Sequence, residues 1–303
     1  MVIFFLLTFF YDVGQTSANF LKLSIGARAT AMGSAYTAIA DDVCGIFYNP
    51  STSGILNSFD FSFTFLNLYD KINYSSLATS LPIKNFGLGI GAALLSFSDD
   101  KFIGPGNKVG EYSCNDFLLF INFSFHLYKK FAFGTNWKYV GSLYDNYYAY
   151  SWATDFGFHF NPIKNLYFGS SLLHLGTKRK FIYYSEILPI NFRLGASYKF
   201  FLTSKIIFTI ASDLATYIDE LPSFGIGGEV LFKELRKPKE DLALRIGYRT
   251  KASYGIFSGL AVGFGYLYQF FKNIFLSIDF TYLDYGYLGS QERISLTFKY
   301  LLP

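Results

Sequence analysis

The sequence predicts an all-β fold: a transmembrane antiparallel β-barrel of about fourteen strands with an N-terminal plug, or hatch, that contains a short helix. Three observations predict it. From residue 58 onward, apolar residues alternate with small or polar ones in runs of about ten. Phe59, Phe61, Phe63 and Phe65 alternate with Asp60, Ser62 and Thr64, and Ile294, Leu296, Phe298 and Tyr300 alternate with Arg293, Ser295, Thr297 and Lys299. Successive side chains on a strand point to opposite faces, so each run has one greasy and one wet face. Second, of 303 residues 51% are hydrophobic and 21% aromatic, with 37 Phe and 25 Tyr, yet only 16% are charged. No uninterrupted apolar run reaches the length of about 18 residues that a membrane helix needs. Third, the connections fall into two alternating series, mostly short and mostly long, as in outer-membrane barrels. A soluble all-β sandwich is the alternative, but it needs a second layer over the greasy face, and little sequence is left to supply one.

Residues 1–18 read as a secretory signal. Val2 to Phe10 is the apolar core, and Thr16, Ser17 and Ala18 offer a small-residue cleavage site before Asn19. No positive region precedes that core, so a buried strand or a surface anchor stays open as a reading. Residues 19–57 form the plug and 58–303 the barrel. The predicted strands are 58–68, 72–81, 85–97, 112–127, 131–141, 147–160, 166–175, 189–200, 204–214, 223–233, 242–249, 257–270, 274–285 and 293–302. The short turns include 82–84, 129–130, 162–164, 202–203 and 272–273, and the longer link 234–241 belongs to the same series. The opposite end carries 98–111, 142–146, 176–188, 215–222 and 250–256. An even strand number places both barrel ends on the short-turn, periplasmic side.

The wet faces carry repeated glycine: Gly87, Gly89 and Gly91; Gly225 and Gly227; Gly263 and Gly265. Such glycines admit either close approach by a plug or curvature of the wall. Arg193 and Lys199 share a face with Gly195, and Arg245 and Arg249 with Gly247, so these cations are expected in the lumen, because the lipid face is costly for them. Tyr147, Tyr148, Tyr150 and Trp152 crowd one barrel end, where an interfacial girdle is expected.

Residues 20–56 break the alternation. Ala27, Ala31 and Ala35 recur every four residues, which predicts a short helix with a small-residue face, and Pro50 predicts a turn before the first strand. Here Phe-Leu-Lys-Leu-Ser-Ile-Gly-Ala-Arg-Ala, Met-Gly-Ser-Ala-Tyr-Thr-Ala, Ala-Asp-Asp and Tyr-Asn-Pro resemble the N-terminal signature of the PorV/PorQ family of bacterial outer-membrane proteins. More distantly the segment is similar to FadL-type transporters, which share an Asn-Pro element in their hatch. The match covers about thirty residues, and it departs at Asn49-Pro50-Ser51-Thr52 and at Gly33-Ser34. It marks Gly26, Arg28, Met32, Gly33, Asp41, Asp42, Asn49 and Pro50 as the plug motif. The resemblance implies a fourteen-strand barrel and either of two activities. FadL-like members pass hydrophobic molecules by diffusion through a lumen and a lateral opening. PorV-like members serve type IX secretion and handle exported proteins.

Catalytic chemistry is not expected. Asp155 and His159 share a face and admit an acid–base pair, but luminal hydrogen bonding is the plainer role. No spacing suggests a metal, and Cys44 and Cys114 leave open only a disulfide. A net charge of +4 with no long basic run gives nucleic-acid binding no support. No cofactor is expected. The expected partners are membrane lipid and lipopolysaccharide, together with a hydrophobic small molecule or a secreted protein, at the bacterial outer membrane. Arg28 is expected to pair with an acid of the plug or the wall, and Asn49 to bond backbone groups where plug meets strand. The first expectation for function is passive uptake of hydrophobic small molecules; the alternative is a type IX secretion component. Leu94 beside Leu95, and Leu118 and Phe120 opposite Leu119, suggest a greasy inner path.

Overall fold

Backbone N–H and C=O groups find no water in the hydrocarbon core of a membrane, so a spanning sheet must close on itself. The computed structural model, which describes residues 14–39, 41–68, 71–128, 130–235, 239–250 and 258–302, has such a closed sheet. Its strands are β1 (Ser58–Leu68), β2 (Ile72–Ile83), β3 (Phe86–Phe102), β4 (Lys108–Leu127), β5 (Phe131–Tyr144), β6 (Tyr147–Ile163) and β7 (Leu166–Gly176). A small hairpin follows, β8 (Arg179–Phe181) and β9 (Tyr184–Glu186). The barrel resumes with β10 (Asn191–Phe201), β11 (Ile206–Tyr217), β12 (Ser223–Phe232), β13 (Glu240–Arg249), β14 (Leu260–Phe271), β15 (Ile274–Asp284) and β16 (Ser290–Leu301). Fourteen strands pair antiparallel with their neighbours, β10 reaches back to β7 across the hairpin, and β16 closes on β1. The apolar core of the expected signal, Val2 to Phe10, lies outside the described residues, as do Arg236 and Lys237. No helix among the described residues is long and apolar enough to cross a membrane.

The register sets the two faces apart. Phe63 pairs with Leu296 and Ser62 with Thr297 at the closing seam, so greasy meets greasy outside and hydroxyl meets hydroxyl inside. The Ser62 and Thr297 hydroxyls bond at 2.9 Å and those of Thr64 and Ser295 at 2.7 Å. Phe61, Phe123, Phe158 and Ile246 are exposed to lipid, whereas Asp60, Asn122, Asn136 and Arg293 are fully buried in the lumen. Two long-loop expectations are corrected. The segment 98–111 is mostly strand, because β3 and β4 stay paired out to Lys101 and Gly110. The segment 176–188 folds into the β8–β9 hairpin, whose three residue pairs supply its backbone bonds.

The N-terminal segment fills the lumen. Thr16 bridges to Ile187 at the long-loop end. The chain then descends through a 3-10 turn (Asn19–Lys22), helix α1 (Ala27–Ala31) and two more 3-10 turns (Val43–Phe47 and Pro50–Gly54), and enters β1 at the short-turn end. Helix α1 stops where Gly33 (φ 64°) and Ser34 (φ 59°) turn left-handed, so Ala35 lies beyond it. Asn49 and Pro50 start the last turn as cap and first residue.

Several wall glycines lie directly under hatch backbone, whereas Gly89, Gly91 and Gly265 face the wall side chains Asn122, Phe120 and Asp279. A Cβ at Gly134 would stand 2.2 Å from the Pro50 carbonyl oxygen, one at Gly169 2.1 Å from that of Thr37, and one at Gly247 2.1 Å from the Gly33 nitrogen. Gly87, Gly225 and Gly227 serve the same purpose under Ser53, Gly33 and Met32. Gly134→Val is therefore expected to over-pack this contact, cost about 1–3 kcal/mol and loosen the hatch. Faster cleavage of the hatch by protease in detergent would register it. Gly228→Val, whose Cβ would lie 3.5 Å from the Phe208 ring, should leave cleavage unchanged.

Candidate functional site

Three polar constellations fasten the hatch to the wall and frame a cavity above it. The first centres on Arg28, which α1 aims at the short-turn end of the lumen. Its Nε and Nη2 donate to the two carboxylate oxygens of Glu229 on β12 at 2.8 and 2.7 Å, a bidentate pair. Its Nη1 donates to Asp41 at 2.6 Å and to Asp42 at 3.0 Å. Arg245 on β13 shares Glu229 at 2.6 Å and reaches Asp279 on β15 at 2.5 Å. Lys199 donates to Asp41 at 2.6 Å, and Lys299 to the Asp41 carbonyl at 2.9 Å. Asp42 also accepts from the Cys44 N–H and the Tyr36 hydroxyl. Burial works against the charge of Asp41, but Arg28 and Lys199 outweigh it and hold its carboxyl well below the usual range. Burial likewise opposes charge on Arg28, and Asp41 and Glu229 overcome it, keeping its pKa well above the ordinary value. Burial holds the Tyr36 hydroxyl protonated, against the pull of Arg28, so it remains a donor to Asp42.

The second constellation repeats a device of the first. Gly195 pairs with Asp213 and Gly265 with Asp279 across the ladder. With no side chain opposite, each carboxylate lies flat over the glycine and reaches an arginine. Arg193 donates to Asp213 at 2.7 Å, to the Ser34 carbonyl at 2.7 Å and to Thr37 Oγ1 at 2.9 Å. Asp213 in turn accepts from the Tyr36 and Thr37 N–H groups at 3.1 and 3.0 Å.

The third constellation lies in the wall, on β5, β6 and β7. Lys138 Nζ stands 2.5 Å from Asp155 and donates to His174 Nδ1 at 3.1 Å. Asn136 Nδ2 donates to the same Asp155 at 2.8 Å, and Asp155 Oδ1 accepts the His174 backbone N–H at 2.8 Å.

Between the hatch and the long-loop half of the wall lies a cavity of about 30 Å³. That is room for about two water molecules. Leu21, Phe47, Tyr48, Tyr74, Leu118 and Leu173 give it apolar walls, with Lys22, Lys138, Arg193 and Arg249 set among them. Arg249 donates to Ser223 Oγ at 3.1 Å and has no carboxylate partner among the described residues. The buried Asn191 Oδ1, also in this lining, has no hydrogen-bond partner. A continuous greasy path is therefore not what Leu118 and Phe120 build. They face inward, and Phe120 packs edge-on against Phe47 of the hatch at 5.2 Å.

The structure gathers Arg28, Asp41, Asp42 and Arg245 into one network and places Arg193 and Arg249 elsewhere in the lumen. Gly26 and Met32 flank α1, and Gly33 lies on the backbone of Tyr248. Asn49 Nδ2 donates to the Thr37 and Phe158 carbonyls at 2.9 Å each, and Pro50 rests on Gly134. Asp155 and His159 do not meet as an acid–base pair. Asp155 is taken by Lys138, and His159 Nε2 sits 3.2 Å from the Ala38 carbonyl. Cys44 and Cys114 are free thiols. Tyr147, Tyr148, Tyr150 and Trp152 belong to β6 and are all exposed at the long-loop end, while Ala149 and Ser151 between them are buried. Sequence reasoning missed Lys138, His174, Asp213, Glu229 and Arg293. Their signal was parity: each lies on a wet face, as does the fully buried Arg293, which donates to Thr30 Oγ1 at 2.6 Å and to the Ser24 carbonyl. No group of three or more potential metal ligands occurs among the described residues.

The sequence matches no known family model and no curated protein. Solved structures do resemble the fold. The toluene transporter TodX of Pseudomonas putida superposes with a TM-score of 0.64 at 11% identity, covering 92% of this chain and 98% of that one. The toluene transporter TbuX of Ralstonia pickettii gives 0.59 at 10% identity, covering 91% and 97%. A FadL homologue of Pseudomonas aeruginosa gives 0.57 at 9% identity, covering 92% and 98%. The chain thus has the FadL-like barrel fold, a closed fourteen-strand antiparallel sheet around an N-terminal segment.

Arg28→Met leaves the buried Glu229 without its bidentate partner and is expected to destabilise hatch docking by about 3–5 kcal/mol. Protease access to the hatch would measure it. A pH dependence follows from Asp41. Its folded pKa lies below its unfolded one, so its contribution is complete above about pH 4 and is lost as pH falls further. Hatch protection should stay level from neutral pH down to about pH 5 and fall below about pH 4. Asp41→Asn should lower the plateau and flatten that acid limb.

Proposed function

We propose that this barrel is a passive conduit for hydrophobic small molecules at the outer membrane. The observation that carries the reading is the cavity above the hatch. It is walled by leucine and aromatic side chains, and among the described residues its Arg249 has no carboxylate partner and its Asn191 oxygen no donor. Such a lining suits an apolar body that ends in a polar or anionic head. The fold it shares with transporters of toluene supports the same reading at the level of architecture. At about 30 Å³ the cavity must enlarge before it admits such a molecule, so segment 21–25 of the hatch or the wall beside it moves in use.

A second reading, a secretion component that binds exported proteins, is favoured by the loop tips. Ile103, Tyr183, Leu221 and Tyr287 stand 69–91% exposed at the long-loop end, beyond the strands. Large apolar side chains in that position suit a protein partner.

Intact Gram-negative cells carrying the gene, compared with cells carrying the empty vector, test the conduit with radiolabelled toluene and decanoate. Uptake of at least one label should rise, and Arg249→Met should lower decanoate entry several-fold while toluene entry changes little. No stimulation by either label overturns the conduit. In that case, cross-linking of exported proteins to Tyr183 and Tyr287 becomes the decisive measurement for the second reading.

A further inference from the structure

Aromatic side chains are spread unevenly over the outer face of the wall. From β10 to β15 the long-loop rim carries single exposed rings on separate strands: Phe192 on β10, Phe224 on β12, Tyr248 on β13 and Tyr282 on β15. That spacing is what an interfacial girdle needs. On β4–β6 the rings crowd instead. β6 turns Tyr148, Tyr150 and Trp152 outward in succession, β5 turns out Trp137 and Tyr139, and β4 adds Phe117. Trp137 and Trp152 are the only two tryptophans of the chain.

Most of these rings pack into one plate. Tyr139 faces Trp152 across the ladder with ring centroids 4.9 Å apart and stacks on Tyr150 at 6.1 Å. Tyr148 stacks on Tyr150 at 5.8 Å and on Phe117 at 6.4 Å, and its hydroxyl bonds to that of Tyr139. Gly141 gives the Phe117 ring room to lie across the ladder, because a Cβ there would stand 2.2 Å from it. Trp137 stands 63% exposed on the side of the plate toward the membrane centre.

The start of the β8–β9 hairpin runs beside this plate. Thr177 extends the pairing along β6, its N–H donating to the Trp152 carbonyl at 2.9 Å. Arg179 turns inward and donates to Ser142 Oγ at 2.7 Å, so its neighbours Lys178 and Lys180 face outward, as the plate does. Both lysines are exposed, and neither has an ion pair or hydrogen bond among the described residues. The acids nearby are engaged elsewhere. Asp116 accepts from Ser142 and Tyr144, Asp145 pairs with Lys101 at 3.2 Å, and Glu186 stands opposite the inward Arg179. Two free cations thus border a broad aromatic surface at the long-loop end, which in an outer-membrane barrel meets the outer leaflet.

We propose that this plate, with Lys178 and Lys180, is a docking site for a phosphorylated glycolipid of the outer leaflet, of the lipid A type. Aromatic faces carry negative charge density and bury large apolar area, so they accept the C–H faces of sugar rings. Phosphates on those sugars meet Lys178 and Lys180 as charge-assisted partners. The acyl chains continue down the wall over Trp137, Leu119 and Phe156, all exposed on the same face. A glycerophospholipid brings a phosphate and acyl chains but no sugar ring, so it engages only part of this surface. The site requires the barrel in its membrane and is independent of the conduit reading.

Tryptophan emission reads the site without a label, because both tryptophans lie in it. The full chain, purified in detergent and stripped of lipid, is titrated with diphosphoryl lipid A and with phosphatidylglycerol. Lipid A should saturate the emission change at a concentration about tenfold lower than phosphatidylglycerol. Lys178→Gln/Lys180→Gln alters only exposed side chains and should weaken lipid A about tenfold. Tyr150→Leu should weaken it in the same direction. Tyr248→Leu, a rim ring remote from the plate, should leave it unchanged. Absence of any emission change with lipid A overturns the site, as does unchanged affinity in either the lysine variant or Tyr150→Leu. Equal weakening in Tyr248→Leu also overturns it. Equal titration by phosphatidylglycerol overturns the glycolipid and leaves a surface for anionic lipid in general.

Discussion

The absence of water in the hydrocarbon core governs the rest of this molecule. Every strand must give its N–H and C=O groups to neighbours, so the sheet closes, and closure creates an inside. Once the greasy half of each alternating run faces lipid, the other half has to be wet, and it carries Asp60, Asn122, Asp155, Arg193, Arg245 and Arg293. Those groups cannot remain in an empty, narrow lumen without partners. The hatch is the answer: a segment rich in small residues whose backbone supplies donors and acceptors to the wall.

The glycines and the charges solve two halves of one problem. Hatch backbone can offer its polar groups only if it comes close, and wall glycines at Gly134, Gly169 and Gly247 let it do so. Closeness then buries charge, which is tolerated only in pairs. Opposite Gly195 and Gly265 the aspartates Asp213 and Asp279 turn flat, and Asp213 meets Arg193 on the adjacent strand while Asp279 reaches across β14 to Arg245 on β13. The same substitution of hydrogen for a side chain thus gives room to the hatch in one place and to a carboxylate in another.

Strand number, faces and the polarity of the lumen were legible because a period of two survives in the order of residues. The plug motif was legible as a break in that period. The partner of Arg28 was not, beyond its being an acid. Glu229 lies 201 residues away, and only the staggered register brings the two together. The β-bulge at which Asp155 of β6 faces both Leu173 and His174 of β7 left a faint trace: Leu172-Leu173-His174-Leu175 interrupts alternation, as a doubled inward residue must. Strand runs alone also hid the extension of β3 and β4 beyond the membrane, where Asp99, Asp100 and Lys101 read as loop yet remain paired. There, pairing with the partner strand outweighs the low strand preference of charged residues.

Comparing costs shows which part of the structure yields first. Withdrawing the hatch would break Arg28 from Glu229, a buried pair whose loss costs about 3–5 kcal/mol, part Asp41 from Lys199, and take the Tyr36 and Thr37 N–H groups from Asp213. It would also strip the hatch backbone from its bed of glycines. Releasing the N–H of His174 costs one hydrogen bond to a charged group, about 1.5–3 kcal/mol. Part of that is returned by relief of the left-handed backbone at His174. The hatch is thus fastened at many points, and its release costs more than the loss of any single hydrogen bond within the wall.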